Sequence, residues 1–387
     1  MDVKQIYSLV NSITQEIAGD SGLIKEDLSN LVDVGSAVLA NNSDNYVKAL
    51  SNRVGKTIFN SDVYKPALVP NVVRDSWEYG SILQSINAGI PEAVQNDDWS
   101  LTDGTDYSPN KFYKPSVTQK FFNKRCTFEI NMSFTERQVK ESFNSQTELN
   151  AFVNMLYQTV ENSFAIKAES LIQRTINNAI AETVKDQTGV TGSLIFVNLL
   201  EKFLTERGST LGQSGLNASN CFQSADFLKY IAFQIMRYRD LLKSPSKLFN
   251  IDDVLRFSSP ENINTVMLSE VFQRINVFLE SGLFNPEKLA FTNIYTIPYW
   301  QGSGTGFGFD DISTVKVKTA SGSDITQSGI IGCMFDKNAI GVCNSEKRVT
   351  TNFNPRADFY TNFYKFDCQY FNDLSQNCVV FYVADSE

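Results

Sequence analysis

Histidine is absent from all 387 residues. That absence removes the commonest general base, the commonest metal ligand and every Ser-His or Cys-His nucleophile pair. The thiols come next. Cys126, Cys221, Cys333, Cys343, Cys368 and Cys378 are scattered without a Cys-x-x-Cys spacing, which reads as reduced, mostly buried small hydrophobes and not as a zinc site. The acid pairs Asp252-Asp253 and Asp310-Asp311 offer the oxygen ligands a divalent cation takes, yet exposed turns carry such pairs routinely. The run from Gly302 to Gly308 is neither a Gly-x-Gly-x-x-Gly fingerprint nor a phosphate loop, because no Lys-Ser/Thr follows it. It reads as a mobile loop. Asn-x-Ser matches at Asn41, Asn131 and Asn217 carry meaning only in a secreted chain. No catalytic, cofactor-binding or metal-ligating residue is assigned, and no cofactor is expected. The competing enzyme reading places a Cys- or carboxylate-dependent site within residues 187–325, where Cys221 is the sole cysteine.

Charge is more informative than nucleophiles. Lys111, Lys114, Lys120, Lys124 and Arg125 punctuate residues 111–125 with no acid among them, while Val117, Thr118, Phe121 and Phe122 read as strand. Just upstream, Glu92 to Asp106 holds Glu92, Asp97, Asp98, Asp103 and Asp106 and no Lys or Arg. Opposite charges in adjacent blocks point either to a hairpin that pairs with itself or to an arm laid on the acidic surface of a neighbouring subunit. On the second reading Lys111, Lys114, Lys120, Phe121, Phe122, Lys124 and Arg125 make the inter-subunit contact. Asp97, Asp98, Asp103 and Asp106 are the candidate acidic partners. A solvated, salt-bridged hairpin is the plain alternative.

Two elements must position this arm. In the first, Cys126, Phe128, Ile130, Met132 and Phe134 alternate with Thr127, Glu129, Asn131 and Ser133, the period of a half-buried strand. In the second, Leu149, Phe152, Val153, Leu156, Val160, Phe164, Ala168, Leu171, Ile172, Ile176, Ala179, Ile180 and Val184 recur every three or four residues, with no Pro or Gly from Gln146 to Val184. This spacing predicts one helix of roughly 58 Å at the usual rise per residue. It does not settle into strict heptads, so it reads as a spine on which a sheet packs and not as a coiled coil.

Three helical patterns open the chain before Thr57, separated by Gly19-Asp20-Ser21-Gly22 and Asn41-Asn42-Ser43. Pro66 and Pro70 mark an extended connector, and Gly189 and Gly192 stop the spine helix. Beyond it come helices through Arg207 and from Ser224 to Leu242, a strand at Asn264–Leu268, a helix to Glu280 and a strand at Ile294–Trp300. The final strands are expected at Gly329–Asp336, Ala339–Asn344, Phe359–Phe371 and Val379–Ala384. The third is aromatic on both faces, so both should be covered, one of them by the spine helix.

Bulk composition sets limits. Hydrophobic residues make up 42% and charged residues 20% of the chain, the balance of a soluble globular protein. A formal charge of -9 argues against gripping nucleic acid, so any contact with DNA should be weak and non-specific. The opening MDVKQIYSLV has no secretory pattern and no window approaches a membrane span, which reads as a cytoplasmic chain with no membrane partner.

The order of these elements resembles the major capsid proteins of tailed bacteriophages, those with the Hong Kong 97-type fold. The residues that carry the resemblance are the arm and helix from Tyr113 to Thr183, the tail Met334 to Val342, then Asn354-Pro355-Arg356 and Val379-Val380-Phe381-Tyr382. The resemblance implies an α+β fold. Residues 1–60 would be an N-terminal helical arm, 61–89 a connector and 90–134 an extended β-hairpin loop overlapping a neighbour. Residues 135–186 and 326–387 would form the peripheral domain, with spine helix and long strands, and 187–325 the axial domain. Such subunits close through pentamers and hexamers into an icosahedral shell around phage double-stranded DNA, assembled in the host bacterial cytoplasm and ending in the virion capsid. The partners implied are the chain itself, a portal protein, and scaffold or decoration proteins. An encapsulin-type nanocompartment is the alternative within the fold. Some members cross-link a loop lysine to a neighbour's asparagine; Lys120 or Lys124 with Asn372 or Asn377 would be the pair to test, against the expectation of an ordinary solvated or salt-bridged lysine. Charge reversal at Lys120 and Lys124 is expected to spoil assembly while leaving the monomer folded.

Overall fold

The structure, a computed structural model of the chain, describes residues 72–74, 83–90, 100–105, 117–122, 125–135, 146–280, 293–300, 308–318 and 324–385, with isolated positions between them. The helices expected before Thr57 lie outside the described residues, apart from Asn11, Thr14 and Gln15, which are helical. In chain order the elements are strands β1 (Val73–Arg74), β2 (Leu83–Ala88), β3 (Val117–Phe122) and β4 (Arg125–Thr135), then helix α1 (Gln146–Gln187). After it come β5 (Phe196–Asn198), α2 (Leu199–Phe203), α3 (Ala225–Leu241), β6 (Ile263–Leu268), α4 (Ser269–Glu280), β7 (Ile294–Ile297) and α5 (Phe309–Ile312). Strands β8 (Val315–Lys318), β9 (Asp324–Gln327), β10 (Ile330–Asp336), β11 (Ile340–Asn354), β12 (Phe359–Asn372) and β13 (Cys378–Tyr382) finish the chain.

The helix α1 is a single element of 42 residues, about 63 Å long. Gly189 and Gly192 follow it at φ +84 and +73, left-handed values that only glycine adopts without strain, and so end the helix where expected. From Val160 onward its apolar stripe is buried: Val160, Ala168, Leu171, Ile172, Ile176, Ala179, Ile180 and Val184 all lie inside.

Two compact units divide the chain. One contains Arg125–Ile172 and Val342–Gln369, and its sheet runs β1-β11-β12-β4. Strand β4 shows the predicted alternation, with Cys126, Phe128, Ile130, Met132 and Phe134 turned inward and Thr127, Glu129, Asn131 and Ser133 exposed. It was expected to continue the hairpin, but its antiparallel ladder is made with β12, from Phe359 opposite Thr135 to Gln369 opposite Arg125. The side chains explain this partner. Phe128 meets Phe366 at 5.1 Å between ring centroids and Phe134 meets Tyr360 at 6.1 Å. On the outer face Lys365 pairs with Glu129 at 3.0 Å, and Thr127 donates to Asp367 at 2.6 Å. Phe164 of α1 sets its edge on Phe366 at 4.6 Å, so the spine helix does cover this strand. The expectation that both faces of β12 are covered is corrected: from Phe359 to Cys368 buried and half-buried residues alternate, because its second face carries Thr361, Lys365 and Asp367 among its rings.

The other unit contains Gly80–Lys124, Gln173–Gly341 and Tyr370–Glu387. Its mixed sheet runs β5-β13-β10-β6-β7. Strands β10 and β13 are inner strands of this sheet. Every residue of β10 and of β6 is buried, and a strand apolar on both faces requires the interior of a covered sheet. Helix α3 supplies cover, burying Phe227, Tyr230, Ile231, Ile235 and Tyr238, and Tyr238 sets its ring edge-on to Phe381 of β13 at 5.3 Å. Ser224 caps α3 by accepting from the amide of Phe227, and Asn198 caps α2 by accepting from the amides of Leu200 and Glu201.

Candidate assembly surface

Strand β3, which carries the charged arm's best-defined residues, pairs antiparallel with β2, so that Ser85 faces Lys120 and Ala88 faces Val117. Among the described residues this two-stranded sheet joins no other. One of its faces is pinned to its own unit. The Lys120 Nζ lies 2.5 Å from Asp252 Oδ2 and 3.3 Å from Asp373 Oδ1. Ser85 Oγ donates to Asp373 at 3.0 Å, and Ser375 donates to it through Oγ at 2.6 Å and through its amide at 3.2 Å. Beside this cluster the ring of Phe122 tilts against Phe371 at 5.2 Å. Gly341 makes room for that ring, since a Cβ there would sit 2.1 Å from Phe371 Cε1.

The Asp373 side chain is 1% exposed. A buried carboxylate is tolerated only when paired and hydrogen-bonded. Burial alone would raise its pKa, but the Ser375 hydroxyl, the Lys120 charge and the Ser85 hydroxyl together hold it below the ordinary aspartate value. Burial likewise pulls on Lys120 in the direction of neutrality. The bonds and charges of Asp252 and Asp373 outweigh that pull and hold the ammonium above its usual range.

Lys120, expected at a subunit contact, is thus engaged inside its own subunit. Charge reversal there would unpin the hairpin base as well as alter any contact, so it does not separate assembly from folding. Phe122 is half-buried against Phe371, Phe121 and Lys114 are exposed, and Arg125 opens β4 opposite Gln369. Asp103 is exposed in a turn that Thr105 closes by donating to the Thr102 carbonyl. Lys111, Lys124, Asp97, Asp98 and Asp106 lie outside the described residues. The sequence reading missed Asp373, Ser85 and Ser375, and weighed Asp252 only as a cation ligand. Contacts between positions 120, 252 and 373 leave no trace in local spacing.

The cross-link acceptors are also committed. Asn372 donates its Nδ2 to the Thr175 carbonyl at 3.2 Å, and buried Asn377 donates to Ser258 Oγ at 3.0 Å. Cys221, the thiol of the enzyme reading, is buried, and burial pushes it up to about 12, so its protonated sulfur is no nucleophile near neutral pH. Cys333 and Cys378 face each other at 4.0 Å between sulfurs in the sheet interior, where their mutual bond and burial keep the Cys333 thiol protonated. None of the six cysteines is in a disulfide bond. Among the described residues no group of three or more Cys, Asp or Glu side chains is arranged to hold a metal ion, and no helix is long and apolar enough to cross a membrane.

The sequence profile of the family described as "Phi29-like phage major capsid protein" matches residues 8–382. The chain belongs to that family. The capsid protein is similar in fold to the capsid structure of Staphylococcus phage Andhra, with 10% identity over 84% of this chain and 86% of that one and a TM-score of 0.54. Weaker likenesses are to the structure of head fiber and inner core protein gp22 of native bacteriophage P68 (9% identity, 84% and 87% covered, TM-score 0.46) and to the capsid of Cyanophage P-SCSP1u (10%, 84% and 90%, 0.43). No curated protein matches the sequence. The capsid protein has the mixed α+β Hong Kong 97-type fold, assembles with itself and resides in the virion capsid as a subunit of an icosahedral shell. Family membership also decides between a phage shell and a nanocompartment shell, in favour of the phage.

Proposed function

We propose that this capsid protein closes its shell through rings of five and six subunits, in the host cytoplasm, around double-stranded DNA that it touches weakly and non-specifically. The unit built on the long strands serves as the peripheral domain, and the unit holding the β5-β13-β10-β6-β7 sheet as the axial domain near each ring's centre. The hairpin that leaves β2 at Ala88 and returns at Val117 overlaps a neighbouring subunit. A portal protein, and scaffold or decoration proteins, are its partners, and it performs no catalysis.

The observation that carries this reading is the family match over residues 8–382. A net charge of -9 supports the weak contact with DNA, since the inner wall of such a shell repels phosphate. Imaging of negatively stained assemblies, with nuclease treatment of filled particles, tests it. Rings of five and six and nuclease-protected DNA are expected; open filaments or a single ring size would overturn it.

A further inference from the structure

Two cysteines stand directly opposite each other in the unit built on the long strands. Cys126 of β4 is paired with Cys368 of β12 in the antiparallel ladder, so both side chains leave the sheet on the same face. Neighbouring contacts agree with this register. The next pair on that face is Phe128 with Phe366, whose ring centroids are 5.1 Å apart, and on the opposite face Thr127 donates to Asp367 at 2.6 Å. Directly opposite residues of an antiparallel pair have Cα atoms about 4.5 or 5.5 Å apart, and a disulfide accepts Cα separations of about 4.4–6.8 Å. A bond between the two sulfurs therefore needs rotation of side chains and no displacement of a strand.

Access separates this pair from the other thiols. Cys126 is half-buried, whereas Cys221, Cys333, Cys343, Cys368 and Cys378 are buried. Cys126 also lies near the end of its ladder, where Arg125 opposite Gln369 is the last pair. It is the thiol that a dissolved reagent reaches first. Cys333 and Cys378 approach to 4.0 Å between sulfurs, but both are sealed in the interior of the mixed sheet.

We propose that Cys126 and Cys368 form a modification site, an intrachain disulfide made once the capsid leaves the reducing interior of the host and meets a small-molecule disulfide, RSSR. The Cys126 thiolate attacks one sulfur of RSSR and expels RS⁻. The Cys368 thiolate then attacks the Cys126 sulfur and expels the second RS⁻. Each expelled thiolate takes up a proton given up by one of the cysteines, so two cysteine thiols are oxidised, one RSSR is reduced and two RSH leave. The bond staples β4 to β12 and closes a loop over more than half of the chain, and long loops are those whose closure restrains the unfolded state most. Its timing rests on the reading above that the shell is assembled in the host cytoplasm, where thiols stay reduced. The geometry of the pair is independent of that reading.

The test uses the full-length chain harvested as shells and divided in two. One portion is released from the cells directly into N-ethylmaleimide under denaturing conditions; the other is first incubated with oxidised glutathione. Peptide mapping without reductant reads the linkage in wild type, and melting with and without dithiothreitol reads its effect in wild type, Cys126→Ser and Cys368→Ala. On release all six thiols should be blocked by the maleimide. After oxidation a Cys126–Cys368 link is expected, with the remaining thiols still blocked. The wild-type melting temperature should rise by about 3 °C or more, an increase that dithiothreitol reverses and that neither variant shows. A Cys126 that stops at the glutathione mixed disulfide, a link between Cys333 and Cys378 in its place, or no oxidation at all would overturn the site. A link already present on release would overturn the timing. Material that never sediments as shells would overturn the shell reading instead, and the linkage is then read on the subunit alone.

Discussion

Lys120 decides the most at the scale of single residues, because it neutralises a carboxylate that is otherwise sealed from water. Replacing it with methionine leaves Asp373 held only by Ser85 and Ser375. The expected loss is about 1 kcal/mol, at the modest end because the lysine itself is partly solvated, and chemical denaturation would measure it. A smaller change in Asp373→Asn than in Lys120→Met would show that the unpaired charge, and not lost packing, sets the cost. The pH dependence follows from the same cluster. The folded Asp373 pKa is depressed, so its contribution is full above the unfolded value of about 4 and is lost as pH falls through the lower folded value. The groups facing it are Lys120, Ser85 and Ser375, with Asp252 on the far side of the lysine. Melting temperature should therefore fall more steeply below about pH 4 in wild type than in Asp373→Asn. Gly341 offers a steric test: alanine there must push Phe371 off Phe122 and should cost about 1–3 kcal/mol as overpacking does, read as a lowered melting temperature.

Among the elements, the spine helix was legible and the hairpin was only half so. The stripe from Val160 to Val184, uninterrupted by Pro or Gly, fixes helix, length and buried face together, and Gly189 fixes the stop. The alternation of β4 was equally plain, but its partner was not, since period two tells which side faces inward and nothing about which strand lies beside it. Complementary rings at Phe128 and Phe366, and the Lys365–Glu129 pair, choose β12 across more than two hundred residues of sequence. Leu83–Ala88 went unrecognised as the partner of β3 because a long stretch of chain separates the two strands and no local spacing links them. Sheet membership of β10 is not legible for a related reason: a fully buried strand announces burial without saying in which sheet. Helix packing makes its own prediction. Ile176→Ala, deep in the stripe, should lose about 2–4 kcal/mol in a denaturant titration, whereas Ile166→Ala, on the exposed side, should stay within about 0.5 kcal/mol.

For the molecule as a whole, composition excluded more than it identified. A chain without histidine lacks the commonest general base, and its sequence carries no motif that assigns a catalytic site. Family membership supplies what physics leaves open, that copies of the chain close into a shell. Sedimentation velocity of the purified 43.4 kDa chain over a range of concentrations, with electron microscopy of the fastest fraction, tests that claim most directly. The account predicts a slow subunit or ring boundary that gives way, above a critical concentration, to a fast boundary of closed shells. A single slow boundary at the mass of one chain at every concentration would contradict it.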